Sequence, residues 1–242
     1  MTEQAGPRHT LHSYDEELDH IRLLIRDSGQ LAGRQLLGAV DAMVRRDFVG
    51  AAAIVAADEE IDRLQAATEQ QAIRTIGRRA PMADDLREII SAIKIAGELE
   101  RVGDYAKNIA KRVPVIGETA PVAPAVIVPE MAKLVVRMID DAIAAYIGRD
   151  VALAKQVIEA DTAADEFYNS LFRSLLVHMI ENPRQTTQSA HLLFVAKNLE
   201  RVGDHATNIA EMVCYTATGE PGASRASTAG AAYEPLPAPA DR

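Results

Sequence analysis

A fifteen-residue segment occurs twice in this chain, with its two copies 100 positions apart. Residues 96–110 read AGELERVGDYAKNIA and residues 196–210 read AKNLERVGDHATNIA, so eleven of fifteen positions are identical. A repeat this close, at a period far longer than that of a short solenoid unit, indicates that one domain is encoded twice. The chain must therefore fold into two similar halves.

Each copy places two carboxylates four residues apart on a predicted helix. They are Glu100 and Asp104 in the first copy, and Glu200 and Asp204 in the second. At about 100° per residue the two acids form one ridge, roughly opposite the apolar stripe. Like charges at this spacing repel by about 0.2–0.5 kcal/mol, and the mid-helix Gly103 or Gly203 costs about 1 kcal/mol. Because the acidic pair and the glycine occur in both copies despite these costs, we expect them to have a function. The glycine either lets another helix approach or leaves room beside the acids.

A second acidic pair also occurs in each half, on the helix that precedes the first. These pairs are Asp58 and Asp62, and Asp161 and Asp165. If the two helices of each half pack side by side and antiparallel, four carboxylates converge on one site. Oxygen ligands suit hard or borderline ions such as Mg, Ca, Mn and Fe. The other interpretation is a solvated helix face, but the duplicated context favours a cation site.

The composition is that of a helical protein that does not bind nucleic acid. Aromatic residues make up 4% of the chain and Trp is absent. Acidic residues outnumber basic ones by 35 to 26, for a net charge of −9, and no Lys/Arg stripe is present. These values exclude a nucleic-acid-binding class and make direct attachment to an anionic membrane unfavourable.

Several further patterns bear on localisation. The single cysteine, Cys214, forms no internal disulfide, fits a reducing cytosol and is expected to be a packed, inert thiol. The N-terminus has no apolar core of a signal peptide, and no run of about 18 apolar residues occurs. We therefore expect a soluble, cytoplasmic protein.

Hydrophobic periodicity predicts an all-α fold with three helices in each half. The predicted helices span residues 9–46, 47–78, 81–112, 130–148, 150–181 and 185–216. Asp47 is a candidate cap, and Pro81 with the acids that follow it marks a new helix start. Residues 113–129, with four prolines, are interpreted as a linker, and residues 217–242 as a disordered tail. The prediction is two tandem three-helix bundles, spanning residues 9–112 and 130–216.

The doubled LERVGD segments and the paired Asp-x-x-x-Asp segments resemble those of the PhoU family over roughly residues 9–216. The resemblance implies two tandem three-helix bundles whose acidic motifs hold metal ions, often several, on the bundle surface. It places one site at Asp58, Asp62, Glu100 and Asp104, and the other at Asp161, Asp165, Glu200 and Asp204. Asn108 and Asn208 are further candidate ligands. The metal stays open among Fe, Mn, Mg, Zn and Ca.

The resemblance also implies a function without catalysis. Members of the family are cytoplasmic regulators that couple the high-affinity ABC phosphate importer (Pst), through its ATPase subunit, to a phosphate-sensing histidine kinase. They repress the phosphate regulon when phosphate is plentiful, commonly form homodimers, and would meet the membrane only through protein partners. The alternatives are a metal-binding scaffold or chaperone for the importer without a signalling role, and a carboxylate-metal enzyme.

Three other features of the sequence are outside the acidic motifs. His205 lies off the acidic ridge and corresponds to Tyr105, so a partly buried aromatic-sized residue is expected at both positions. Arg101 and Arg201 are expected either to pair with acids of the neighbouring helix or to face a partner. The tail is interpreted as a solvated end, with a short partner-binding segment as the alternative.

Overall fold

The computed structural model describes residues 7–118 and 120–219, with side chains from residue 14 onward. These residues are almost entirely helical and contain no strand. The eight α-helices of the described chain are α1 (Pro7–Arg45), α2 (Phe48–Ala56), α3 (Glu59–Arg79), α4 (Ala83–Ala110), α5 (Val113–Gly117), α6 (Val128–Gly148), α7 (Val151–Glu181) and α8 (Thr186–Thr218). The prediction of an all-α fold is confirmed. The tail predicted from residue 217 lies outside the described residues from residue 220 onward.

Short polar residues start the helices where the sequence predicts. Asp47 caps α2, its carboxylate accepting a hydrogen bond from the backbone N–H of Gly50 at 2.9 Å. Asp150 caps α7 in the same way, accepting from two backbone N–H groups. Such caps satisfy donors that the first turn of a helix leaves without intrahelical partners. Together they fix where α1 turns into α2 and where α6 turns into α7.

The predicted second helix, residues 47–78, is two helices. The chain turns at Ala57 and Asp58, between α2 and α3. Gln35 of α1 donates its side-chain amide to the Ala57 carbonyl at 3.1 Å, satisfying an acceptor that the end of α2 leaves open. Asp58 therefore occupies the N-terminal boundary of α3, whereas its counterpart Asp161 lies inside the continuous helix α7.

The Pro-rich segment 113–129 contains structure of its own. It includes α5 and a 3₁₀ turn at Ala123–Ile127, and Val128 already begins α6. Three valines of this segment are buried, namely Val113, Val122 and Val128. The segment therefore packs on the core as it connects the two halves.

Each half is a three-helix bundle, formed by α1, α3 and α4 in the first half and by α6, α7 and α8 in the second. The halves meet where α1 packs on α6 and α4 packs on α8. Helices α4 and α8 run antiparallel, since Ser91 near the start of α4 bonds Thr216 near the end of α8 at 2.8 Å. On the outer sides, α3 packs against α4 and α7 against α8. No helix in the described residues is both long and apolar enough to cross a bilayer.

Candidate metal-binding clusters

The first cluster lies between α3 and α4. It comprises the candidate ligands Asp58, Asp62, Glu100 and Asp104, and the carboxylate of Glu100 lies within electrostatic reach of Asp62 and Asp104. Lys107, one turn after Asp104, lies among these acids. Its ammonium pairs with Asp58 and lies 3.7 Å from the carboxylate of Asp104. The helix packing therefore brings residues from both predicted acidic pairs to one place.

Burial and mutual repulsion both act on the first cluster. Desolvation raises the pKa of Glu100, and the nearby carboxylates of Asp104 and Asp62 raise it further. The hydrogen bond to Asp58 raises the pKa of Lys107 and so favours its charged form. With every group ionised, four negative charges face one positive charge. The cluster retains an excess of negative charge that a cation would relieve.

The second cluster lies between α7 and α8. It comprises Asp161, Asp165, Glu200 and Asp204. Lys197, one turn before Glu200, pairs with that carboxylate at 2.5 Å. Asp161 is buried, with 3% of its surface exposed, whereas Asp165 and Asp204 lie at the exposed edge. Both halves thus repeat the arrangement of four acids and one lysine.

In the second cluster, one carboxyl group has a strongly raised pKa. Desolvation, followed by the repulsion of Glu200 and Asp161, raises the pKa of Asp204 to about 6. Among the described residues, the buried Oε2 atom of Glu200 has no hydrogen-bond partner. A buried carboxylate oxygen without a donor is costly, and a cation is one way to satisfy it.

The mid-helix glycines explain how the acidic helices come close. A Cβ on Gly103 would lie 2.5 Å from Cδ1 of Ile61 on α3. A Cβ on Gly203 would lie 3.3 Å from the Asp161 carboxylate and 3.4 Å from Cβ of Ala164, both on α7. Both of the uses expected for the glycine occur: Gly103 admits the neighbouring helix, and Gly203 leaves space beside an acid of the cluster.

The donor chemistry of both clusters fits a cation. Each offers carboxylate oxygens from two helices, an arrangement suited to hard or borderline ions. With the side chains as they stand, however, no three acidic, His or Cys side chains of the described residues form a ready ligand set. A lysine ammonium supplies part of the positive charge in each cluster instead. Metal binding at these eight residues stays a prediction.

The two asparagines differ in what they contact. Asn108 is exposed on α4. Asn208 donates its amide to Glu98 of the opposite half at 3.1 Å. The side chain of Asn208 is thereby engaged at the α4–α8 interface.

His205 is buried, as expected of a packed residue, with 7% of its surface exposed. Its Nδ1 pairs with Glu98, and its Nε2 lies 3.4 Å from the hydroxyl of Tyr105. The two repeat-equivalent residues, Tyr105 and His205, therefore touch each other where the halves meet. Burial alone would raise the pKa of Glu98, but hydrogen bonds from His205 and Asn208 outweigh it, and the pKa is lowered.

The remaining candidates lie outside the clusters. Arg101 and Arg201 are both exposed. Cys214 is partly buried, and burial raises the pKa of its thiol, in keeping with an inert side chain.

Sequence reasoning missed the two lysines. Lys107 and Lys197 each lie three residues from a cluster acid, a spacing that brings side chains together on a helix. That spacing was the available signal. The two lysines occupy different positions of the repeat. A comparison of the two copies therefore does not show either lysine as a shared residue.

The fold and the clusters define a class of protein: tandem three-helix bundles that each carry four acids on adjacent helices. A sequence model of the PhoU domain matches this chain twice, at residues 25–113 and 128–213. The chain therefore belongs to the PhoU family.

Individual relatives and solved structures agree with this assignment. A phosphate-specific transport system accessory protein PhoU homolog of Zymomonas mobilis is 46% identical over 88% of this chain and 90% of the relative. The equally named protein of Caulobacter vibrioides is 45% identical over 88% of this chain and 93% of the relative. The crystal structure of PhoU from Pseudomonas aeruginosa superposes with a TM-score of 0.81 at 32% identity, covering 86% of this chain and 100% of that one.

The phosphate transport system regulatory protein PhoU from Streptococcus pneumoniae has the same architecture. Its crystal structure gives a TM-score of 0.78 at 26% identity and covers 86% of this chain and 98% of that one. The prediction of two tandem PhoU-like bundles is confirmed by these matches.

Proposed function

We propose that this protein is a cytoplasmic, non-enzymatic regulator of phosphate uptake. It acts as an accessory protein of a phosphate-specific ABC importer and couples the importer's ATPase subunit to a phosphate-sensing histidine kinase. When phosphate is plentiful, it represses the phosphate-starvation response. The observation that carries the proposal is 46% identity to a phosphate-specific transport system accessory protein over nearly the full length of both chains.

The carboxylate clusters supply a second part of the proposal. We infer that each cluster holds a divalent or trivalent cation, with Fe, Mn, Mg, Zn and Ca as candidates. The excess of negative charge and the unsatisfied Glu200 oxygen support this inference. A bound cation would link α3 to α4, and α7 to α8, through their acids. The chain's own residues thereby set the shape of the surface that faces its protein partners, and a homodimer would present that surface twice.

A reporter experiment tests the proposed function. In a strain of the source organism lacking this gene, a promoter of the phosphate-starvation response is expected to stay active in high phosphate. The wild-type chain should restore repression. Two double variants, Glu100→Gln with Asp104→Asn and Glu200→Gln with Asp204→Asn, should each restore it poorly.

The matched control is a substitution of another acidic pair at the same spacing. Asp15 and Asp19 are exposed, lie four residues apart on α1, and belong to neither cluster. Replacing both with Asn should leave repression intact. Normal regulation in the deletion strain would contradict the proposed function. Full repression by both cluster variants would instead leave a helical scaffold whose acids only solvate its surface.

Elemental analysis tests the cation separately. Protein purified without a chelator or a metal-binding tag should carry stoichiometric metal. A variant with Ala at Glu100, Asp104, Glu200 and Asp204 should carry none. Equal metal content in both proteins would contradict binding at the clusters without affecting the proposed regulatory role.

A further inference from the structure

A cavity of about 360 Å³ lies at the end of the molecule where the two halves are connected. Its walls come from the end of α1, the segment 113–129 and the start of α8. Most of the wall is apolar, with Met43, Val122, Ala125, Pro129 and Leu192 among the lining residues. A concave apolar site of this volume is in the range of small-molecule pockets. It lies apart from both carboxylate clusters.

Arg46 is the only charged residue among the described lining residues. Its Nη2 atom is buried and has no hydrogen-bond partner in the described part of the chain. The backbone of Arg46 has a φ of 58°, a left-handed conformation that is unusual for a residue other than glycine. One positive charge therefore borders an otherwise apolar wall, where an anionic group would meet its opposite charge.

A second guanidinium, that of Arg112, is not part of the cavity lining and packs against α8. Arg112 contacts the ring nitrogen of His191 at 3.3 Å and stacks over Phe194 at 4.4 Å, on either side of the lining residue Leu192. Its Nε atom also lacks a partner among the described residues. Although the whole chain carries a net charge of −9, the lining of the cavity holds one positive charge, that of Arg46, beside an apolar space. An anionic group on an apolar body matches that combination.

The geometry points to one occupant: we propose that this cavity binds a single amphipathic monoanion, with its apolar chain inside and its carboxylate against the guanidinium of Arg46. A cationic ligand would meet like charge at Arg46. An uncharged apolar ligand would fill the space but would offer the guanidinium no opposite charge. If each non-hydrogen atom takes roughly the 30 Å³ that one water molecule occupies in the liquid, the cavity accommodates about a dozen such atoms. Decanoate has that size and charge.

The alternative role of Arg46 is local. A cation in the last turn of a helix interacts favourably with the helix dipole, and Arg45 is placed equally well for that role. Arg45, however, is largely exposed and pairs with Asp41 at 2.9 Å. Arg45 therefore serves as the matched control for Arg46, because a substitution there removes the same charge from the same helix end without touching the cavity.

The test is isothermal titration of sodium decanoate into the full-length protein. Decanoate should bind at one site per chain, and decanol much more weakly. Arg46→Met should weaken binding by about tenfold, the equivalent of one charge-assisted hydrogen bond. Arg45→Met should bind like the wild type. Ala125→Phe, which fills the cavity and keeps Arg46, should abolish saturable binding.

Circular dichroism of each variant shows whether it is folded, so that a loss of binding can be assigned to the cavity. Three results would overturn the proposal. They are the absence of saturable decanoate binding to the wild type, equal affinities for decanoate and decanol, and equal losses in Arg46→Met and Arg45→Met. None of these results depends on phosphate regulation or on metal content.

Discussion

The two carboxylate clusters have the same four acidic positions of the repeat but take their lysine from different ones. Lys107 follows Asp104 by one turn, and the equivalent position in the second half is the buried Thr207. Lys197 precedes Glu200 by one turn, and the equivalent position in the first half is Gly97. Each half therefore places one lysine ammonium among its four carboxylates, but from a different position of the repeat. The shared requirement is partial neutralisation of the acids rather than a lysine at a given position.

The clusters also differ in burial. Asp58 lies at the break between α2 and α3, with 15% of its side chain exposed. Asp161 lies inside the continuous helix α7, with 3% of its surface exposed. Removing carboxylates from water raises the cost of ionising them, and Asp204 in the second cluster has its pKa raised to about 6. Ionising Asp204 is costly because of desolvation and the repulsion of Glu200 and Asp161, and in this sense the second cluster is the more strained of the two.

The largest loss of stability is expected where the two halves meet, at the repeat-equivalent residues Tyr105 and His205. His205→Ala removes one of the two side-chain partners of Glu98 and leaves Asn208. Because the Glu98 side chain is only 16% exposed, the change should lower the free energy of unfolding by about 2–3 kcal/mol. Tyr105→Phe removes only a hydroxyl that lies 3.4 Å from His205 and should cost less than about 0.5 kcal/mol. Urea unfolding of the two variants measures the difference. Equal losses would show that the interface does not depend on the Glu98–His205 pair.

The same interface has a predictable pH dependence. The pKa of Glu98 is lowered in the folded protein, so its ionised form is stabilised by folding. That stabilisation is present above the unfolded pKa of about 4.3 and is lost as the pH falls through the lower folded value. Glu98→Gln should therefore be destabilised relative to wild type at pH 7, and the gap should narrow below about pH 4.

How far the sequence predicts this molecule is clearest from the acids and their surroundings. The i,i+4 spacing of Glu100 and Asp104 and the near-identical repeat predict one acidic ridge in each half, because helix geometry places such residues on one face. The break at Asp58 was missed, because periodicity continues through it while the hydrogen bond from Gln35 that satisfies the helix end is a tertiary contact. The Glu98–His205 pair was also missed. It joins residues 107 positions apart, and the sequences of α4 and α8 do not by themselves predict that these two helices pack together.

The glycines provide a way to sharpen the comparison of the clusters. In Gly103→Ala the new Cβ lies 2.5 Å from Cδ1 of Ile61, which is fully buried and must move. Overpacking of this kind costs about 1–3 kcal/mol, partly offset by about 1 kcal/mol of helix propensity. In Gly203→Ala the nearest atoms lie 3.3–3.4 Å away, so a nearly neutral change is expected. Thermal unfolding should rank the variants in that order, and the reverse order would contradict the account of the close approach.

Asp204 offers a pH test of the more strained cluster. Because its folded pKa is raised, ionised Asp204 opposes folding above about pH 6, and this cost disappears below the unfolded pKa of about 3.9. Asp204→Asn should therefore stabilise the metal-free protein by about 1 kcal/mol at pH 7–8, allowing for solvent screening at this exposed position, and by nothing near pH 4. Asp104→Asn is the control, because it loses a 3.7 Å contact with Lys107 and should not stabilise. The free energy of unfolding is measured with urea in the presence of EDTA. Equal changes in the two variants would contradict the proposed difference between the clusters.

The smallest effects concern the lysines. Lys107→Met and Lys197→Met each remove the only ammonium described within their cluster, at side chains 27% and 42% exposed, and each should cost the metal-free protein about 0.5 kcal/mol. The same changes should tighten Mn²⁺ binding, because the cation no longer competes with an ammonium for the carboxylates. Calorimetric titration with Mn²⁺ measures both gains. If metal affinity falls in both variants, the lysines position the acids for the cation rather than replace it. The shared feature of the two clusters would then be the placement of their acids and not the neutralisation of their charge.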